Sequence, residues 1–296
     1  MRTVFIGTSQ FAATVLEQLA ASPHRPVLVV TRPDSRQGRG RRTAAPPVAG
    51  AASALGIEVI QPASVNDEAA RATIAAAAPE TVCVCAYGGL IREPLLSEHP
   101  MLNVHPSLLP RWRGAAPIER AIMAGDTVTG VSIMALAAGL DSGPVCAQEE
   151  EEIAREDDYG TLSARLAAAG GQLLVDVLDR RPGCVEQDES RATHAEKIAP
   201  EDRRLDPRHP AQELERRVRA LNPHIGAWAE LAGGERLGVV RARAEPPGAP
   251  APPGELVVGD GVPALVCAEG RLVLLRVKPA GRREMSGQEW LRGHRP

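Results

Sequence analysis

Short, uninterrupted apolar runs alternate with helical stretches from the first residues to Cys85, and this alternation limits the fold more than any other feature of the chain. Residues 2–6, 27–31, 57–60 and 81–85 read as strands, and residues 10–21, 46–55 and 67–77 as helices. The first helix gathers Phe11, Val15, Leu16 and Leu19 on one face, the period of a helix lying on a sheet. A strand that is apolar at successive positions is covered on both faces, which a parallel sheet between two helical layers provides. Ligands of such sheets bind beyond the carboxyl ends of the strands, where the strand order reverses. The turns at 7–9, 86–89 and 103–107 gather at that end. The turn from Gly7 to Ala12 lacks the Gly-x-Gly-x-x-Gly spacing of a dinucleotide site and reads equally as a plain strand-to-helix turn.

The rest of the chain changes character twice. Residues 131–136 read as a further strand, and Glu149 to Glu152 as a solvated strand end or edge. An amphipathic helix from Thr161 to Leu178 closes the first domain, expected over 1–184. Residues 185–204, with mixed charges and Pro200, read as a linker. Residues 205–296 form a second domain: a helix over 210–221, then short strands near 225–231, 236–244, 254–259, 262–267 and 271–277. Their spacing suggests a small barrel. Ser286 and Glu289 fit a capping box opening a final short helix.

With 296 residues, 44% hydrophobic and 24% charged, the chain has the make-up of a globular protein of two domains. A net charge of −3 argues against a surface basic all over, although the cations are nearly all arginine, with only Lys197 and Lys278 as lysines. No apolar run reaches the roughly 18 residues of a membrane span, and the chain starts directly with a strand; a cytoplasmic protein without a signal peptide is expected. Of the five cysteines, Cys83 and Cys85 cannot pair within one extended strand. With no Cys-x-x-Cys, neither a metal nor a disulfide is expected, and Cys83, Cys85, Cys146, Cys184 and Cys267 are read as free thiols in a reducing compartment.

The chemistry concentrates between Leu102 and Pro117. Asn103 and His105 stand two apart, so at a strand end they project to the same face. Pro106 and Pro110 punctuate the following turn, and Arg111, Arg113 and Gly114 come next. Asp141 lies between Gly139 and Gly143 on a loop able to approach a site closely. A neutral imidazole can take a proton from an amine, a carboxamide can donate to a developing oxyanion, and a carboxylate can orient the imidazole or stabilise its cation. No nucleophile elbow is near: Ser107 lies between Pro106 and Leu108. The set suits direct acyl transfer between two bound substrates. The same spacing also fits a His105 that only satisfies a backbone carbonyl and an Asp141 that only caps a turn.

Asn103 to Pro117 resembles the signature of the methionyl-tRNA formyltransferases, within the wider folate-dependent formyltransferase family. The similarity continues through Ile118–Asp126, Thr129–Met134 and Gly139–Gly143, and through Ile6–Ala12, Ala86–Gly88, His194–Ile198, Arg219–Pro223, Lys278–Gly281 and Met285–Ser286. It implies an α/β, Rossmann-like N-terminal domain with a mostly parallel sheet, followed by a smaller OB-like β-barrel. It implies that Asn103, His105 and Asp141 are the catalytic trio, acting on 10-formyltetrahydrofolate and the α-amine of methionine on initiator tRNA. The folate would lie against Ala86, Tyr87, Gly88, Gly89 and Leu90, against Ser107, Leu108, Leu109 and Pro110, and against Gly139 and Leu140. Arg36, Arg39, Arg41 and Arg42 match a basic insertion that contacts the acceptor arm, where guanidinium groups clamp phosphates. A monomer is expected. The same trio and donor would also serve a formyltransferase acting on an amino-sugar nucleotide or on glycinamide ribonucleotide, against which the basic loop and the second domain argue. A non-catalytic RNA-binding relative, by contrast, need not retain the trio.

Overall fold

The computed structural model describes residues 1–37 and 42–294. Contacts divide them into two units: Met1–Gly114, Val128–Glu152 and Ser163–His194 in the first, and Ala115–Thr127, Ile153–Leu162 and Ala195–Pro296 in the second. The segment 185–204 is thus shared, with residues up to His194 grouping with the first unit and those from Ala195 with the second.

The first unit is built on β1 (Thr3–Gly7), α1 (Gln10–Ala20), β2 (Pro26–Val30), α2 (Pro47–Ala54), β3 (Glu58–Ile60), α3 (Glu68–Ala76), β4 (Thr81–Cys85), β5 (Met101–His105), β6 (Val128–Ala135) and β7 (Val145–Glu152), followed by α4 (Tyr159–Arg180), which groups with this unit from Ser163 on. The seven strands form one sheet in the order β7-β6-β5-β4-β1-β2-β3. The pairs from β3 to β5 are parallel, while β6 runs antiparallel to β5 and to β7. Two of the parallel strands are buried throughout: all five residues of β1 and of β4 are buried. Val4, Ile6, Leu28, Val30, Val82, Val84 and Ile74 meet in one cluster. α1 is capped by Ser9, whose side chain accepts from the Ala12 amide, and buries Phe11, Val15, Leu16 and Leu19 as the sequence period requires. Strand order reverses between β1 and β4, so the carboxyl ends of β1, β4 and β5 bring Gly7, Cys85 and His105 to the same end of the sheet. The four glutamates end β7, the edge strand, where Glu149, Glu150 and Glu152 are exposed.

One sequence expectation is overturned. Cys146 and Cys184 are not free thiols; they form a disulfide across 38 residues. Val145 and Val185 exchange two backbone hydrogen bonds of 2.8 Å, and this isolated antiparallel bridge brings the neighbouring cysteines to a Cα separation of 3.9 Å. Cys83, Cys85 and Cys267 are free and buried; burial pushes the Cys83 thiol up to about 12.

The second unit holds α5 (Ala211–Leu221) and an antiparallel sheet of β8 (Ala227–Glu230), β9 (Arg236–Glu245), β10 (Leu256–Gly259), β11 (Val262–Val266), β12 (Arg271–Pro279) and β13 (Met285–Ser286), closed by α6 (Gly287–Leu291). The path runs β8-β9-β12-β11-β10, with β13 on β12. Leu214, Val218 and Leu221 of α5 pack with Leu237, Val239, Leu265, Leu272 and Leu274 of the sheet. Ser286 and Glu289 form the expected capping box. The fold class is therefore the expected one, a mostly parallel α/β sheet followed by a smaller antiparallel, barrel-like domain.

Candidate active site

Asn103 and His105 occupy the last turns of the pleat of β5, both buried, opposite Met134 and Ser132 of β6. They share a face because the strand period is two. The loop after β5 is held at several points. Ser107 Oγ donates to the Arg111 carbonyl (2.6 Å), and Ser132 Oγ donates to the Ser107 carbonyl (2.6 Å) while accepting from the Leu109 amide (3.0 Å). Gln148 donates to Ser132 Oγ (2.8 Å) and to the Leu109 carbonyl (2.9 Å). Gly130 admits this packing, since a Cβ there would strike the Leu108 side chain and the Glu149 carbonyl.

The loop ends at Trp112, which adopts φ 63°. A left-handed backbone costs a non-glycine residue roughly 1 kcal/mol and is kept only where its surroundings enforce it. Here it presents the Trp112 carbonyl oxygen to Nε2 of His105 at 2.9 Å. A carbonyl only accepts, so Nε2 carries the proton, and in the neutral ring Nδ1 is the basic nitrogen. Nδ1 faces Asp141 Oδ2 at 3.6 Å. Asp141 is also left-handed, at φ 45°, and its Oδ2 accepts from the Gly114 amide at 2.8 Å. The histidine therefore does satisfy a backbone carbonyl, as the plainer sequence reading allowed, and in doing so it turns its basic nitrogen toward the carboxylate. The Asn103 carboxamide makes no hydrogen bond to the described residues, which leaves both its N–H donors available.

The other sequence-singled residues fall out as follows. The loop from Ala86 to Leu90 is tied by its backbone: Thr8 donates to the Tyr87 carbonyl (2.8 Å), Arg32 to that of Gly88 (2.9 Å) and Asn66 to that of Leu90 (2.8 Å). The Tyr87 ring is buried in the sheet core and is not offered to a ligand. Gly88 has φ 73° and Ala86 φ 41°. Leu90 and Leu140 are among the few large apolar side chains left exposed, at 64% and 60%, one on each of two loops expected to touch the folate. Ser107 and Leu109 are buried, Leu108 and Pro110 half-buried, and Gly139 precedes Leu140 on the Asp141 loop. Arg113 is not offered to a ligand either: it is 4% exposed, donates from Nε to Gln187 (2.9 Å) and grips Glu189 through both terminal nitrogens at 2.8 and 2.9 Å. Arg36 and Arg42 stand on a hairpin, Ser35–Gln37 with Arg42–Ala44, while Arg39 and Arg41 lie outside the described residues.

Sequence reasoning missed Ser132, Gln148, Gln187 and Thr193, which hold the loops and do no chemistry. The only signal for Ser132 is a hydroxyl at a fully buried position of an apolar strand. Among the described residues no group of histidine, cysteine, aspartate or glutamate could hold a metal ion, and no helix is long and apolar enough to cross a membrane.

An imidazole, a carboxamide with no hydrogen bond to the described residues and a carboxylate, brought together at one strand end, are groups that can serve acyl transfer between two bound molecules. Residues 1–178 match the formyl transferase family and residues 197–295 the formyl transferase C-terminal domain. The chain belongs to the formyltransferase family. It is 44% identical over 299 residues to a methionyl-tRNA formyltransferase of Thiobacillus denitrificans, covering 99% of this chain and 96% of that protein. Among solved structures, a methionyl-tRNA formyltransferase from Clostridium thermocellum superposes with a TM-score of 0.59 at 15% identity, over 83% of this chain and 94% of that one. An N-formyltransferase from Helicobacter canadensis, solved with folinic acid and dTDP-3-aminofucose, gives 0.67 at 12% identity, over 93% and 98%. At such identities these two structures share the fold.

Proposed function

We propose that the chain transfers the formyl group of 10-formyltetrahydrofolate to the α-amine of methionine on initiator methionyl-tRNA, by direct attack and without a covalent enzyme intermediate. The observation that carries this reading is the His105 ring held between the Trp112 carbonyl and Asp141, beside an unengaged Asn103 amide. The donor supplies the electrophilic formyl carbon. As the amine nitrogen bonds to that carbon, His105 Nδ1 takes the ammonium proton, and the charge that forms faces the Asp141 carboxylate. The Asn103 N–H groups donate to the formyl oxygen as it gains negative charge. When the carbon–oxygen double bond re-forms and the bond to N10 breaks, His105 returns the proton to the leaving nitrogen. Leu90 and Leu140 offer apolar contact to the folate ring system, and the loop backbone at Ala86–Leu90 and Ser107–Pro110 frames it.

Full-length similarity to a methionyl-tRNA formyltransferase supports tRNA as the acceptor, with Arg36, Arg39, Arg41 and Arg42 on its phosphates. We infer a monomer working in the cytoplasm, the compartment of translation. Several arginines of the second unit are engaged within the protein: Arg216 donates to the Met123 carbonyl, Arg217 to that of Arg204 and Arg219 to that of Asp157. The test is incubation with 10-formyltetrahydrofolate and either methionine-charged initiator tRNA, an amino-sugar nucleotide or glycinamide ribonucleotide. Formylmethionine on the tRNA supports the reading; formylation of another acceptor alone, or of none, contradicts it.

A further inference from the structure

The segment after α4 is tied to β7 by the Cys146–Cys184 bond and then bonds both loops that contact His105. Gln187 comes three residues later. Its Nε2 donates to the Asp141 carbonyl at 2.8 Å and to the Gly143 carbonyl at 2.7 Å, while its Oε1 accepts from Arg113 Nε at 2.9 Å. Both N–H groups and the oxygen of one side-chain amide are thus spent on three residues of the candidate site. Further along, Thr193 Oγ1 accepts from the Trp112 amide and its carbonyl accepts from the Arg113 amide, each at 2.9 Å.

We propose that Gln187 is a positioning residue for formyl transfer, locking the 141–143 loop so that the Asp141 carboxylate stays opposite Nδ1 of His105. The need for a lock follows from the backbone. Asp141 is left-handed without being glycine, a conformation that relaxes unless neighbours enforce it. The Gly114 amide holds the carboxylate itself, but among the described residues only Gln187 bonds the Asp141 and Gly143 carbonyls from the side chain of another segment. Gly143 lies so close to the Ala135 carbonyl that a Cβ would collide with it, so this seating of the loop requires a glycine there. Gln187 touches no reacting atom. It acts through Asp141, and the proposal rests on the reading of Asn103, His105 and Asp141 as the catalytic trio.

The experiment compares single-turnover formyl transfer to methionine-charged initiator tRNA for the wild-type protein, Gln187→Met, Gln187→Glu, Asp141→Asn, the Gln187→Met/Asp141→Asn double variant and His105→Asn, with the KM of the donor and the melting temperature for each. Gln187→Met is expected to slow transfer about 100-fold, the effect of a small misplacement at the reacting centre, with the donor KM unchanged. Gln187→Glu keeps the acceptor for Arg113 but sets oxygen against two carbonyls, and is expected to be as slow. The double variant is expected to be no slower than Asp141→Asn, because both changes remove one function. Wild-type rates in both Gln187 variants, or rate losses that multiply in the double variant, overturn the proposal, as does a rate loss that only follows a fall in melting temperature. His105→Asn separates the two readings: if it transfers at the wild-type rate the trio fails, whereas a silent His105→Asn beside a fully active Gln187→Met overturns the role of Gln187 alone.

Discussion

The Trp112 carbonyl oxygen lies 2.9 Å from Nε2 of His105, and this contact decides which nitrogen of the neutral ring carries the proton. In a Ser-His-Asp site a carboxylate sets the tautomer; here a backbone carbonyl sets it, and the carboxylate of Asp141 faces the other ring nitrogen, Nδ1. Nitrogen NMR of ring-labelled protein with its histidines assigned checks this. Neutral His105 is expected as the Nε2–H tautomer; an Nδ1–H tautomer would refute the arrangement.

Ser132 joins two strands to the loop behind the site. Its hydroxyl, fully buried, meets the Ser107 carbonyl, the Leu109 amide and the Gln148 amide. Ser132→Ala leaves these polar groups without their partner, which costs about 1–3 kcal/mol. Denaturant unfolding is expected to show a loss of this size. Because Leu109 leads toward Trp112, transfer should slow as well.

The Cys146–Cys184 bond closes a loop of 38 residues. Removing a loop of that length from the unfolded ensemble stabilises by about 2–4 kcal/mol. Cys184→Ser is expected to lose that much without reductant and to match the wild-type protein once dithiothreitol is present. Equal stability of the two proteins without reductant would show that the bond does not form.

Glu189 gives the same region an acid dependence. The Arg113 guanidinium beside it holds its carboxyl below the usual glutamate range. A carboxylate whose pKa is lowered on folding contributes stability that is present above the unfolded value and lost as pH falls through the folded one. The wild-type protein is therefore expected to melt higher than Glu189→Gln at neutral pH, with the gap shrinking below the ordinary carboxylate range near pH 4.3. A gap that stays constant down to low pH would remove the charge of Glu189 from the explanation.

The sequence made the architecture legible wherever a residue's role is periodic. Unbroken apolar strands pointed to a parallel sheet holding β1, β2 and β4, the spacing of Phe11, Val15, Leu16 and Leu19 to α1, and the short segments of the second domain to a small barrel. Asn103 and His105 were legible for the same reason, being two apart on a strand. Asp141 was legible from its place on a glycine-flanked loop, and the family resemblance joined it to a residue 36 positions earlier, to which nothing local ties it. What stayed hidden depends on backbone angles and long-range register. Trp112 in the left-handed region, the Val145–Val185 bridge that brings two cysteines together, and the hold of Gln187 on a distant loop have no periodic signature. The segment from Val185 to His194 shows this most clearly: its mixed charges suit a linker, yet Gln187, Glu189 and Thr193 are each spent on the residues around His105.

The central claim is that His105 takes the proton of the attacking amine. Single-turnover transfer from 10-formyltetrahydrofolate to methionine-charged initiator tRNA by His105→Ala tests it most directly. A fall of about 10²–10⁴-fold is expected, the usual size of a lost general base, with the tRNA still bound; transfer at the wild-type rate would contradict the account.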